Sequence, residues 1–303
     1  MTVTNAFGQS LRLDYDAQDR LASVNASGGR AVRYGYDSSG NLGTATAADG
    51  QARSYLYENP AFPGGLTGIV DEAGQRMASF AYDAQRRAIT TELVGNVNRY
   101  QVSYPAADTA TVIDPIGTAR TYRFSSNAQN TAVTSGSLPS ANDHVDAASR
   151  VQDASGLVTS DTDFTGVRTD YTWNTARRLP LTITKAAGTP QAQVTRYDWH
   201  PVFSLPVLVT EAERTTAFEY DAQGNLLSQS IAAAAGTTAG TTVGPARRTQ
   251  WTYNPQGLVA SRTDPNGART TYTYDPFGNP ILARNALGHE TRASYDAANR
   301  IAT

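Results

Sequence analysis

Apolar and polar residues alternate along this chain in short stretches. In Ala268–Tyr274, Thr270, Tyr272 and Tyr274 fall on one side of an extended backbone, and Arg269, Thr271 and Thr273 on the other. Such stretches run about 5–7 residues, a usual strand length. Turn-forming residues separate them every 8–12 residues or so, the spacing of short strands in all-β folds. No 3.6-residue apolar period is sustained, so the pattern predicts strands and no long helix.

The turn signals are of two kinds. One follows an aromatic: Tyr36-Asp-Ser-Ser-Gly-Asn-Leu, Tyr220-Asp-Ala-Gln-Gly-Asn-Leu, Tyr274-Asp-Pro-Phe-Gly-Asn. Asp bonds its own backbone two residues on, and Gly supplies the positive φ that closes a hairpin loop. The other is Asp264-Pro-Asn-Gly, echoed by Asp114-Pro-Ile-Gly, Asp163-Phe-Thr-Gly and Asn285-Ala-Leu-Gly. Asp first, Pro second and Gly fourth fit a type I turn.

These signals repeat. With the aromatic before the first turn as an anchor, anchors fall at Tyr15, Tyr36, Tyr57, Tyr82, Tyr104, Phe124, Gln152, Trp173, Trp199, Tyr220, Tyr253, Tyr274 and Tyr295, and six of the twelve spacings are 21 residues. A glycine precedes the anchor by seven residues at Gly8, Gly29, Gly50, Gly117, Gly166, Gly267 and Gly288. Gln152 lacks the ring but keeps the frame through Asp153, Gly156 and Leu157. A fixed period in this range means stacked supersecondary units.

The expected fold is therefore all-β. Stacked antiparallel β-hairpins, one per repeat, give roughly 24–26 short strands in a coiled continuous sheet. Residues 1–303 read as a single array and as a segment of a longer one. Longer spacings place insertion loops near residues 59–65, 126–146, 180–192 and 232–245. The last of these holds the alanine run Ala232–Ala235 and a Thr/Gly-rich stretch, and reads as a flexible loop.

Composition narrows the function. Hydrophobic residues make up 40% and mean hydropathy is negative, which suits a layered sheet with one wet face. A net charge of −2 gives no electrostatic case for nucleic acid or an anionic membrane. Cysteine is absent, which excludes disulfides, thiol nucleophiles and thiolate metal sites. No signal peptide and no 18-residue apolar run stands in the sequence. His144, His200 and His289 are scattered without ligand spacing, and the aspartates that follow anchors read as turn caps. No nucleophile elbow, phosphate loop or His-Glu-x-x-His occurs. The expectation is a protein that is not an enzyme and uses no metal or cofactor.

Tyr-Asp-x-x-Gly-Asn-Leu with Asp-Pro-x-Gly upstream resembles the YD or RHS repeat of bacterial Rhs and WapA-type polymorphic toxins, insecticidal toxin-complex C components and animal teneurins. Matching stretches are Tyr36–Leu42, Tyr220–Leu226, Tyr253–Leu258, Tyr274–Asn279 and Tyr295–Ile301. The resemblance covers essentially the whole chain and is weakest from about Val97 to Trp199. It implies a β-sheet that coils into a hollow shell around a C-terminal toxin domain. Its partners would be that toxin cargo and the rest of the shell, in a larger bacterial protein that is secreted or held at the cell surface. Many members close the shell with an aspartyl self-cleaving segment built on Asp-Pro-x-Gly-Leu. Here Asp114-Pro-Ile-Gly-Thr, Asp264-Pro-Asn-Gly-Ala and Asp275-Pro-Phe-Gly-Asn lack the Leu, and Asn254-Pro-Gln-Gly-Leu lacks the Asp. All four read as ordinary turns. A second functional reading comes from the Tyr stripes themselves. Aromatic faces and hydroxyl tips on an exposed sheet suit sugar rings or a protein partner, as in an extracellular adhesin.

Overall fold

The computed structural model describes residues 1–127, 130–139, 147–234, 246–296 and 300–302. Among them are 26 strands and a single short 3-10 turn at Val94–Asn96. The first thirteen strands are β1 Thr2–Thr4, β2 Ser10–Tyr15, β3 Leu21–Ala26, β4 Ala31–Tyr36, β5 Leu42–Ala47, β6 Ala52–Leu56, β7 Gly68–Val70, β8 Arg76–Tyr82, β9 Ala88–Leu93, β10 Val97–Ala106, β11 Thr109–Ile113, β12 Ala119–Asn127 and β13 Asn130–Gly136. The rest are β14 Ser149–Gln152, β15 Val158–Thr162, β16 Arg168–Asn174, β17 Leu179–Lys185, β18 Gln193–Trp199, β19 Pro206–Thr210, β20 Arg214–Tyr220, β21 Leu226–Ala233, β22 Arg247–Tyr253, β23 Val259–Thr263, β24 Arg269–Tyr274, β25 Pro280–Arg284 and β26 Glu290–Arg292.

Each strand pairs with its sequence neighbours, in two 13-stranded sheets ordered β1 to β13 and β14 to β26. The paired strands run antiparallel, as in β4 with β5 and β24 with β25. One continuous sheet was the expectation. Among the described residues the pairing forms these two sheets, and between β13 and β14 the Gly136 N–H donates to Ala147 O at 2.9 Å. By their internal contacts, residues 1–123 and 124–303 form two compact units.

Both kinds of turn close in the same way. In the 37–41 turn the Asp37 N–H donates to Asn41 O at 2.9 Å and the Gly40 N–H to Asp37 O at 3.0 Å. In the 264–268 turn the Asp264 N–H donates to Ala268 O at 2.9 Å and the Gly267 N–H to Asp264 O at 2.8 Å. This is a type I turn whose fourth residue is left-handed, a geometry that continues the strand twist. Gly40 and Gly267 supply that residue with φ of 86° and 83°. Asp19 and Arg86 do so without being glycine, at 57° and 63°.

The insertions differ from the sequence reading. Residues 59–65 do form a loop, between β6 and β7. Residues 180–185, however, belong to β17, which pairs with β16 and β18. Longer strands absorb most of the extra spacing, and only 186–192 remain as connection. Residues 126–127 and 130–136 likewise extend β12 and β13. Ala232 and Ala233 lie in β21 opposite Thr215 and Arg214, so the alanine run begins as strand. Residues 235–245, most of that expected flexible loop, lie outside the described residues, as does His144.

Burial is shallow. Among the described residues the buried hydrophobic side chains are Ala78, Ala110, Ala147, Leu157 and Ala234. Most aromatic side chains are half-buried, while Tyr15, Tyr100 and Phe277 are exposed. In β24 Thr270, Tyr272 and Tyr274 are partly covered, while Arg269, Thr271 and Thr273 are exposed.

Candidate functional site: an aromatic latch between repeats

Most anchor residues occupy one recurring position, the end of a strand. Tyr15, Tyr36, Tyr82, Gln152, Trp199, Tyr220, Tyr253 and Tyr274 end their strands, and Trp173 is one residue from the end of β16. Tyr57 follows β6, Tyr104 and Phe124 lie within β10 and β12, and Tyr295 makes an isolated bridge to Ile301. At the strand ends the register slips by one residue. Thr273 pairs with Leu282 but Tyr274 with Pro280, and Thr252 pairs with Ser261 but Tyr253 with Val259. Such a bulge interrupts the ladder and leaves a backbone group in need of a partner.

The next repeat supplies it. The Tyr274 hydroxyl donates to Val259 O at 2.9 Å, Tyr253 to Leu226 O at 2.9 Å and Tyr220 to Pro206 O at 2.9 Å. The series continues with Tyr36 to Leu21 O, Tyr104 to Ala88 O and Tyr295 to Pro280 O, at 2.8, 2.8 and 3.2 Å. Tyr82 reaches Leu66 O at 2.9 Å. Where the anchor is tryptophan the indole N–H does the same. Trp173 donates to Val158 O at 2.6 Å and Trp199 to Pro180 O at 2.7 Å. The bond asks only for a donor on a flat apolar body, which both side chains provide. Proline serves at the accepting position because it keeps its carbonyl while losing only its N–H. Phe124 has no donor and Gln152 no ring, so the latch is absent from both side chains. Burial pushes the Tyr220, Tyr253 and Tyr274 hydroxyls up from the ordinary tyrosine range, which keeps them protonated as donors.

The ring faces are engaged as well. Aromatic residues two apart on a strand stack on one another: Tyr171 with Trp173 at 6.3 Å between centroids, Tyr197 with Trp199 at 5.8 Å and Phe218 with Tyr220 at 6.5 Å. The guanidinium of Arg20 sits 4.4 Å from the centre of the Tyr36 ring, and that of Arg87 4.0 Å from Tyr104. In the 59–65 loop Phe62 meets Tyr82 edge to face at 5.1 Å, and Asn41 Nδ2 holds Pro63 O at 3.0 Å.

The aspartate after each anchor binds its own turn. Asp221 Oδ1 accepts the N–H groups of Gln223 and Asn225, and its Oδ2 accepts Asn225 Nδ2. Asp37 with Asn41 and Asp275 with Asn279 repeat the arrangement, which explains the Gly-Asn pair of the motif. Arg20 and Arg87 replace that Asn, bonding Asp16 and Asp83 through Nε while covering the next anchor ring. The Asn225 amide holds the Asp221 carboxyl below the usual aspartate range, and Asn41 does so for Asp37. In the second kind of turn, Asp264 pairs with Arg262 and Asn266 Oδ1 caps the turn by accepting the Ala268 N–H.

The seven spacing glycines, Gly8, Gly29, Gly50, Gly117, Gly166, Gly267 and Gly288, all have φ between 76° and 87° in the second turn. His289 donates its N–H to Asn285 Oδ1, and His200 caps its own loop. Among the described residues no three His, Asp or Glu side chains cluster as metal ligands, and no helix is long and apolar enough to cross a membrane. Sequence reasoning did not anticipate the latch. Its signal was present, as every anchor that latches is Tyr or Trp and the accepting residue lies 14–27 positions earlier.

Comparison with known proteins follows the same pattern. The RHS Repeat family matches residues 15–52 and 253–290. No curated protein matches the chain in sequence. Among solved structures, the TcdB2-TccC3 complex is similar with a TM-score of 0.53 and 15% identity, over 97% of this chain and 18% of that one. TcdB2-TccC3-Cdc42 gives 0.53 and 15%, over 97% of this chain and 17% of that one. The Tc holotoxin pore of Photorhabdus luminescens carrying a TccC3 mutation gives 0.52 and 14%, with the same coverage of 97% and 17%. The chain thus spans under a fifth of the length of these three structures, and the likeness is one of fold.

Proposed function

We propose that this chain of RHS repeats is a structural segment of a toxin shell, built to enclose and carry a toxic polypeptide within a larger bacterial protein. The observation that carries the reading is the latch. The hydroxyl and indole tips of nine anchors are bonded to the preceding repeat, and several rings stack on each other or under arginine. The similarity of fold to part of complexes containing TccC3 supports the same reading. A sheet of this kind closes its hydrogen bonds along its length and leaves few free edges. The adhesin reading needs open ring faces for sugar stacking, and the stacked pairs Tyr197–Trp199 and Phe218–Tyr220 offer few. In this proposal the segment has no catalytic work, binds no cofactor, and acts at the cell surface or after secretion, in competition between bacteria or in virulence.

The test uses the whole parent protein. A polypeptide encoded downstream of these repeats should resist protease in the intact protein and become sensitive when residues 1–303 are deleted. Equal sensitivity in both forms overturns the container. Binding of the 303-residue chain to sugars on a glycan array would favour the adhesin.

A further inference from the structure

The loop after Trp199 is capped by an imidazole. After Trp199 the usual Asp slot holds His200, and the loop is one residue longer, since the His200 N–H donates to Leu205 O at 2.8 Å. The cap is kept by the imidazole. His200 Nδ1 accepts the Phe203 N–H at 3.1 Å and the Val202 N–H at 3.2 Å. A ring nitrogen accepts only while it carries no proton. Carboxylate and amide oxygens, which do this work in the turns begun by Asp221 and Asn254, remain acceptors through mildly acidic pH.

From this geometry we infer that His200 is an acid-sensitive cap: proton uptake on its imidazole releases residues 200–205 while the Asp- and Asn-capped turns stay closed. Histidine is the side chain that ordinarily titrates between pH 5 and 8, and its protonation is a known way to bias a local two-state element. Protonation here would set an N–H against two backbone N–H donors. It would also place a positive ring beside Arg177, whose Nη1 and Nη2 donate to His200 O and Phe203 O, each at 2.7 Å. The elements packed against the loop present Arg177 from the turn after β16 and Tyr220 from β20, whose ring meets the imidazole edge to face at 6.3 Å. The 221–225 turn adds Asp221; its Gly224 borders Phe203, and its carboxylate is already bonded to Gln223 and Asn225. Phe203 stacks on the imidazole at 4.8 Å, so release of the loop frees an aromatic ring next to the Tyr220 latch.

The experiment is amide hydrogen exchange on the 303-residue chain at pH 7.5 and 5.5, with rates corrected for intrinsic exchange. Protection at Val202 and Phe203 is expected to fall about tenfold at pH 5.5, from two donors losing their acceptor. Gln223 and Asn225 should not change. His200→Asn keeps an acceptor that does not titrate, and His200→Asp restores the residue of the other repeats; both should hold equal protection at the two pH values. Unchanged protection in the unsubstituted chain overturns the proposal, as does an equal drop in either variant. Should neither variant fold, the imidazole is followed by nitrogen NMR in the unsubstituted chain. Loss of protection that does not track protonation of His200 then overturns it.

Discussion

The Tyr274 hydroxyl donates to the Val259 carbonyl at 2.9 Å across 15 residues, joining the end of β24 to the bulge between β22 and β23. Tyr272 lies on the same face two residues earlier and, among the described residues, its hydroxyl has no hydrogen-bond partner. The two tyrosines therefore separate the hydroxyl's contribution from that of the ring. Tyr274→Phe should lower stability by about 0.5–1.5 kcal/mol, the usual net value of one hydrogen bond. Tyr272→Phe should be close to neutral. Equal denaturant midpoints for the two variants would show that the latch carries no stability.

Gly267 and Thr271 sit four residues apart and make opposite demands. Gly267 has φ of 83°, and a Cβ added there meets nothing within 4 Å. The cost of Gly267→Val is thus backbone strain alone, about 1–3 kcal/mol. Thr271 is exposed in the middle of β24, where a β-branched residue fits the pleat. Thr271→Val should shift the melting temperature little. If the two variants melt together, the left-handed turn is not present in solution.

How much of this was legible in the sequence follows from where the information is stored. Turns are local, so Asp37 and Gly40, or Asp264 and Gly267, announced their hairpins through side chains within five positions. The alternation of Thr270, Tyr272 and Tyr274 fixed which face of β24 would be covered. Insertions were less readable. A wide gap between anchors such as Trp173 and Trp199 can be filled by longer strands or by a loop, and pairing of 180–185 with both neighbours decided for strand. The latch was hidden for a different reason. A Tyr that packs and a Tyr that donates to a backbone carbonyl one repeat away look alike until register and bulge are known.

The turn aspartates set the response to acid. Asn225 and Asn41 lower the Asp221 and Asp37 carboxyls, and the hydroxyls of Ser155 and Thr165 lower Asp153 and Asp163. A lowered native value means that the unfolded chain binds protons first. Stability from these groups is then complete above the unfolded range, near pH 4, and is lost as pH falls through the lower native values. Thermal melts should be flat from neutrality to about pH 5 as far as the carboxylates are concerned, then drop steeply below pH 4. Asp221→Asn, which keeps the acceptor, should reduce the drop, while Asp221→Ala should lower stability at every pH. A melting temperature that rises on going from pH 4 to pH 3 would contradict the assignment.

The Asp-Pro steps should be chemically quiet near neutral pH. Cleavage by an aspartyl side chain needs a carboxyl that can shuttle a proton at its own peptide bond. Asp114 is held below the usual range, first by Arg120 at 2.7 Å and further by the N–H groups of Thr118 and Ile116. Asp275 spends both oxygens on Phe277 and Asn279, and Asp264 pairs with Arg262. None is free to act on Pro115, Pro265 or Pro276. Incubation of the purified chain for days near pH 7, followed by intact mass spectrometry, should show no cut at these bonds. Acid must be avoided, because Asp-Pro bonds break there without help. A discrete cut after Asp114, Asp264 or Asp275 at neutral pH, lost when that aspartate becomes asparagine, would make the segment an autoprotease and end its reading as an inert wall.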